Sequence, residues 1–397
     1  MARFNAGSIR KYIKDDLEFL NKLGPRPCGS ENLLTAKQYF CKKLEEIKPR
    51  KIEFQEFPVE RFKRETCSIS INSPVKKSLD SLSFAFCENV KAENMEIVYV
   101  GKGLAEDFKQ KAEIIKNRVA LVNVTIGYHR SAVIKQAQKY KAAGLIMISN
   151  LPDGYPQTGY TSQRKEFDKI FGAGISTSDG ILLIELINEG NIPLLDIHIN
   201  NSYSPSIGKN IAASFCDSSS SHFLLTAHLD SWDVSSGISD NGSGVAIVMA
   251  IAKILSQTDI PFKVVLFDGE EQGLKGSNHY VKNNCLDNII AVINFDIVGM
   301  PYKLVMTCDI EGINNNKITI PQSDISVDII KSDIKQLKYS SDHLPFARKS
   351  IPIILPVSKL EFGRGLYYHT AYDTLDNFNA ESLVYWPQVI TNLLKNE

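Results

Sequence analysis

The chain has 397 residues, 43% of them hydrophobic and 23% charged, which excludes a disordered chain and leaves room for two or three domains of roughly 150 residues. Lys plus Arg and Asp plus Glu each number 45, so the net charge is zero and speaks against a nucleic-acid surface or a polybasic membrane anchor. No apolar run approaches the roughly 18–20 residues of a membrane span, and the start leads into Lys11-Tyr12-Ile13-Lys14-Asp15-Asp16 where a secretory signal would be apolar.

In chain order, helical patterns at 7–22 and 31–48 flank the loop Gly24-Pro25-Arg26-Pro27-Cys28-Gly29-Ser30. A strand-like stretch, Lys51 to Phe62, follows. From about residue 66 the texture changes to short apolar strands at Glu96–Val100, Arg118–Val124, Gly144–Ser149 and Leu194–Ile199, with a helix near Ser131–Ala143. This middle region ends in Asn200–Ser206, which has the composition of a linker. Strands then fit Phe223–Ala227, Phe262–Phe267, Asn288–Phe295, Tyr302–Thr307 and Ile351–Pro356. Helices fit Val245–Gln257, Leu274–Asn283, Val327–Leu337 and Glu381–Lys395, the last interrupted by Pro387. Such alternation predicts an α/β fold, a mostly parallel sheet sandwiched by helices. The seven cysteines (Cys28, Cys41, Cys67, Cys87, Cys216, Cys285, Cys308) show no C-x-x-C spacing and fit scattered thiols of a cytoplasmic protein.

In open α/β sheets, ligands gather beyond the carboxyl ends of the strands. Phe223–Ala227 runs into His228-Leu229-Asp230, Phe262–Phe267 into Asp268-Gly269-Glu270-Glu271, and Asn288–Phe295 into Asp296. Ser239-Asp240-Asn241-Gly242-Ser243-Gly244 precedes an apolar helix, and Tyr368-His369-Thr370 comes late. Singly, each has a plainer reading. Asp240 could cap a helix, Glu270 and Glu271 could complement a helix dipole, and His228, Asp296 and His369 could be structural. Together they would repel and lose solvation, a cost that divalent metal relieves. Nitrogen and carboxylate donors without thiolate suit zinc and would also accept cobalt or manganese. With Asp240 bridging, His228 and Asp296 on one ion and Glu271 and His369 on the other, two Zn²⁺ and a shared hydroxide give a neutral core. Glu270 is left over beside the water, where a general base is needed.

These residues carry a resemblance. His228–Val234, Ser239–Ala246, Gly269–Ser277 and Asn294–Asp296 resemble the metal-site motifs of the co-catalytic two-zinc exopeptidases, among them the bacterial zinc aminopeptidases and carboxypeptidase Q. Ser341–Phe346 and Tyr368–Asn377 resemble the downstream motifs, in the same order. Asp230-Ser231-Trp232-Asp233-Val234 leans toward the carboxypeptidase Q branch, and Tyr368-His369-Thr370 toward the bacterial aminopeptidases. The resemblance implies the same five ligands and Glu270 as base. It also implies Asp230 as the acceptor that fixes the His228 tautomer, Tyr368 as a donor to the oxyanion, and a cis peptide after Asp240. It implies a zinc-exopeptidase catalytic domain made of 1–65 and 207–397. Residues 66–206 resemble an inserted β-rich protease-associated domain, expected at the rim of the pocket.

The expected activity is hydrolysis of the peptide bond next to a free amino terminus, with a peptide or dipeptide as substrate. No nucleic acid or membrane span is expected, and a homodimer is left open. A dipeptidase of the carboxypeptidase Q kind is the alternative, in which Arg364 would bind the substrate carboxylate. Alternatives of other classes are an inactive scaffold of the same fold, which the filled ligand positions oppose, a one-zinc glutaminyl cyclase, and a hydrolase using Cys28. His343 is expected to line the pocket or to be structural.

Overall fold

The computed structural model describes residues 6–123, 130–151, 154–160, 170–311, 313, 316–320, 323–333, 340–359 and 367–395. It divides into two compact units. One comprises Met1–Arg61, Pro205–Tyr368 and Tyr372–Glu397; the other comprises Phe62–Ser204 with His369–Ala371.

In the first unit, the Ala6–Leu23 helix buries Ile9, Ile13, Leu17 and Leu20, a single stripe at helical spacing. The Glu31–Glu46 helix begins where Ser30 Oγ accepts the Leu33 amide at 3.1 Å, and buries Leu33, Ala36, Phe40 and Leu44. Four central strands, Phe262–Phe267, His222–His228, Ile289–Asn294 and Ile353–Ser358, are parallel in that spatial order. They are almost wholly buried, which is why they read as continuous apolar runs. Antiparallel pairing closes both flanks, with Leu194–Ser214 beside Phe262–Phe267 and Pro301–Met306 beside Ile353–Ser358. The sheet is thus mixed, with a parallel centre.

The Ser243–Leu255 helix packs against this sheet with every residue but Lys253 and Ile254 buried. The stretch Ile238–Leu255 is long and apolar enough for a membrane span by length and composition alone, and it is 89% buried inside the protein. Among the described residues it behaves as a core helix.

In the second unit, strands Val119–Asn123, Gly144–Ile148 and Phe171–Ile175 and the end of Val90–Gly101 run parallel, with Ser81–Ser83 antiparallel at the edge. Helices Ala105–Gln110, Arg130–Lys139 and Thr177–Asn188 accompany them, and two apolar clusters form its core.

Three sequence expectations fail. Val327–Leu337 was expected to be helical, but Ser326–Lys331 is a strand paired with Pro301–Met306; the β-branched residues Val327, Ile329 and Ile330 favour the pleat. Residues 334–337 of that expected helix lie outside the described residues. Asn200–Ser206 contains the boundary between the units, at Ser204 and Pro205, but is not an irregular linker: it is the middle of the 21-residue strand Leu194–Ser214, polar because residues 202–206 are largely exposed. Glu381–Lys395 splits into a 3-10 turn, Ala380–Tyr385, and the helix Trp386–Lys395, whose first turn tolerates Pro387.

Trp386 is fully buried, its ring edge-on to Phe295 at 5.9 Å and its indole donating to the Gly299 carbonyl at 2.7 Å. Trp386→Ala is expected to cost about 3–5 kcal/mol in urea unfolding. Trp386→Phe, which keeps a ring and loses the donor, is expected to cost about 1–3 kcal/mol. Equal losses would mean that the hydrogen bond, not the ring, carries the site.

Candidate metal centre

Register places the polar residues at one sheet edge. Phe267 pairs with His228 and Asn294 with Thr226, so the residues that follow these strands emerge together. Thr226 Oγ1 donates to Asn294 Oδ1 at 2.7 Å, and Asn294 Nδ2 donates to Ser341 Oγ at 3.0 Å, tying the strand ends to the start of the short His343–Ala347 helix.

Two donor sets result. His228, Asp240 and Asp296 each offer an atom within 4.8 Å of the others, and so do Asp240, Glu271 and His369. Asp240 belongs to both. His228 Nδ1 lies 3.0 Å from the Asp230 carbonyl, which can only accept, so Nδ1 carries a proton and Nε2 is the nitrogen left to face the donor set. That Nε2 faces Asp240 Oδ1 at 3.1 Å and Asp296 Oδ1 at 3.4 Å. Neither contact has hydrogen-bond geometry, and both Nε2 and Asp296 Oδ1 are buried without a hydrogen-bond partner. Buried donor atoms crowded in this way fit a divalent cation among them.

The electrostatics agree. Burial opposes a charge on His228, yet Asp296, Asp230 and Asp240 outweigh it and hold its pKa well above the histidine range. Burial, then repulsion from neighbouring carboxylates, holds Glu270 and Glu271 well above the usual carboxylate range. Positive charge in this cluster would relieve both.

Each side chain is set from behind. Asp230 accepts from His228 Nδ1 as expected, and does so through its backbone carbonyl rather than its carboxylate. The carboxylate stands 3.6 Å from Nδ1 and instead accepts the amides of Glu270 and Glu271, each at 3.2 Å. Asp373 accepts the amides of Ser239 at 2.6 Å and Asp240 at 3.0 Å. The Asp240–Asn241 peptide is cis, and Asn241 donates to the Phe295 carbonyl at 2.8 Å while accepting the Gly244 amide at 3.1 Å. A Cβ at Gly244 would stand 2.3 Å from Asn241 Oδ1 and 2.6 Å from the Phe295 oxygen, so glycine is required there.

The loop from His228 to Asp240 wraps around Arg26. Its buried guanidinium donates to the carbonyls of Leu229 at 3.1 Å and Gly237 at 3.2 Å, and also to that of Ser236. Burial brings its pKa down to about 10. Sequence reasoning assigned no role to Arg26 or Asp373. Asp373 lies within the Tyr368–Asn377 motif, which was its only signal; Arg26 in a Gly-Pro loop had none.

Of the remaining expectations, Tyr368 is half-buried beside His369, and Arg364 lies outside the described residues. His343 is buried in its short helix and belongs to neither donor set. His222 Nδ1 contacts the Ser220 carbonyl at 2.8 Å, and the His279 ring packs on Phe57 at 5.2 Å. Cys28 Sγ donates to Asp268, and burial, then Asp268, pushes its pKa well above that of an ordinary thiol, the reverse of what a nucleophile needs.

Residues 210–394 match Peptidase family M28. Over 297 residues the chain is 26% identical to carboxypeptidase Q of Xenopus laevis, covering 70% of this chain and 63% of that one. Over 298 residues it is 26% identical to the aminopeptidase YwaD of Bacillus subtilis, covering 71% and 62%. The chain therefore spans less than two thirds of the length of either relative. BSAP, a zinc aminopeptidase from Bacillus subtilis, shares the fold with a TM-score of 0.72 at 21% identity, over 100% of this chain and 96% of that one.

Asp373→Ala is expected to lower zinc affinity about 10- to 100-fold, read by competition with a chromogenic chelator. An unchanged affinity would mean that Ser239 and Asp240 keep their places without it.

Proposed function

We propose that the protein is a zinc-dependent aminopeptidase holding two zinc ions per chain. The observation that carries this reading is the pair of donor sets sharing Asp240. His228 and Asp296 would complete one ion's ligands, and Glu271 and His369 the other's. Bound there, the two cations would supply Lewis acidity toward the scissile carbonyl and lower the pKa of a shared water.

The chain's own residues do the rest. Asp230, through the amides of Glu270 and Glu271, turns these neighbours in different directions, so one carboxylate ligates and the other is left for proton transfer. Glu270 takes the proton of the attacking water and returns it to the leaving amine. The Nδ1 contact with the Asp230 carbonyl holds a proton on Nδ1, so that Nε2 is the nitrogen that would ligate a bound cation. Tyr368, beside His369, is the proposed donor to the oxyanion. The α-ammonium of the substrate is held by carboxylates at the edge of the centre.

A second reading, a dipeptidase, is favoured by the similarity to carboxypeptidase Q over 70% of the chain. It needs a cation for the substrate carboxylate, for which Arg364 is the proposed residue.

Purified protein is expected to bind about two zinc ions per chain by elemental analysis, by the ligand count of the two sets. One ion or none in an active, unchelated preparation would overturn the two-ion assignment. Glu270→Gln is expected to keep its zinc and lose roughly 100-fold or more in kcat. Near-normal turnover would remove Glu270 from the base role. Leucine anilide should be hydrolysed alongside a leucyl dipeptide; turnover of the dipeptide alone, lost in Arg364→Ala, would establish the dipeptidase instead.

A further inference from the structure

We infer that Lys37, Cys28 and Asp268 form a positioning array that sets the Glu270–Glu271 turn through Asp230. The inference rests on the reading of Glu270 as base and Glu271 as ligand.

Asp268 is fully buried, and its carboxylate accepts from three donors. Oδ1 receives Cys28 Sγ–H at 2.9 Å, while Oδ2 receives the Lys37 ammonium and the Lys209 amide, the latter at 2.8 Å. Its own amide donates to Asn210 Oδ1 at 3.1 Å. The Cys28 sulfur and oxygens of Asp268 and Asp230 lie within 4.8 Å of one another. Two buried carboxylates thus stand one layer behind the donor sets, and only one of them holds the glutamate turn.

Lys37 settles which one. Its ammonium is buried against Asp268, so Asp268 is compensated where it sits and does not push Asp230 away. Asp230 is left to hold the two glutamate amides, each 3.2 Å from one of its oxygens. Cys28 fills the space between the acids with a weak donor that faces Asp268 only. The array is built by the N-terminal segment, because Cys28 and Lys37 lie 240 and 231 residues from Asp268. These three are positioning residues, since none of them belongs to the His228 or His369 donor set.

Removing the lysine charge leaves two facing carboxylates, and removing both charges of the Lys37–Asp268 pair restores the balance. In the full-length zinc-loaded protein, Lys37→Met is expected to lower kcat about 10- to 100-fold, with KM within about twofold of wild type. Zinc affinity, read by chelator competition, should fall by a similar factor. The double variant Lys37→Met/Asp268→Asn should recover most of both losses. A purely structural pair predicts a lower melting temperature with kcat per folded, zinc-loaded molecule unchanged, and that result overturns the inference. A double variant no better than the single one overturns it too. Should Lys37→Met not fold, Cys28→Val is expected to lower kcat and zinc affinity more than Cys28→Ser, which keeps a donor; equal effects count against the array. If wild-type protein hydrolyses no peptide or amide, the aminopeptidase reading fails, while the zinc-affinity comparison still decides the array.

Discussion

The constraint on which the rest depends is that Asp240 must present oxygens to two donor sets at once. A side chain held by its own rotamer alone would satisfy one set and drift from the other, because crowded carboxylates repel. The chain answers by fixing the backbone around it. Asp373 takes the amides of Ser239 and Asp240 from one side, and Asn241 is tied to the Phe295 carbonyl on the other. Since Phe295 directly precedes Asp296, the same bond links the backbone of one donor to that of its partner. Trp386 packs on the Phe295 ring, so even the C-terminal helix bears on this spacing.

The support comes from distant parts of the sequence. Arg26 reaches carbonyls 203 and 211 residues away, and Lys37 reaches Asp268 across 231. Closing such loops costs little more than closing shorter ones, since the entropy grows only with the logarithm of length. The N-terminal helices are therefore not decoration on the sheet. Their flanking loop and one lysine set the charge balance behind the site.

The strand ends were legible in the sequence because a buried parallel strand is an unbroken apolar run, and the first polar residue beyond it marks the sheet edge. His228 and Asp296 could be placed by that logic alone. The hold of Asp230 on the Glu270 and Glu271 amides, and of Asp373 on those of Ser239 and Asp240, could not, because an acceptor of main-chain amides leaves no residue pattern that shows which amides it takes. Lys37 sits between Ala36 and Gln38 on a helix, where lysine ordinarily reads as solvated. The misread segments fail for a related reason. Residues 202–206 are polar because that stretch of a long strand is exposed, and Ser326–Lys331 carries too few residues for its period to separate strand from helix.

Which end of a peptide suits this centre follows from the charges around it. Asp230, Asp268, Asp342 and Asp373 are all buried near the donor sets, against the buried cations Arg26 and Lys37. Burial, tempered by nearby donors and charges, pushes Asp342 and Asp373 each up to about 7, so further negative charge beside them is disfavoured. Zinc would relieve that surplus at the centre, but the two buried cations are committed elsewhere, Arg26 to loop carbonyls and Lys37 to Asp268. A peptide's terminal carboxylate entering here would need a cation of its own. An α-ammonium would not, because it brings the charge that the acidic surroundings favour. That asymmetry supports the amino-terminal reading over the dipeptidase one, and it leaves a cation near Arg364 as the feature on which the alternative depends.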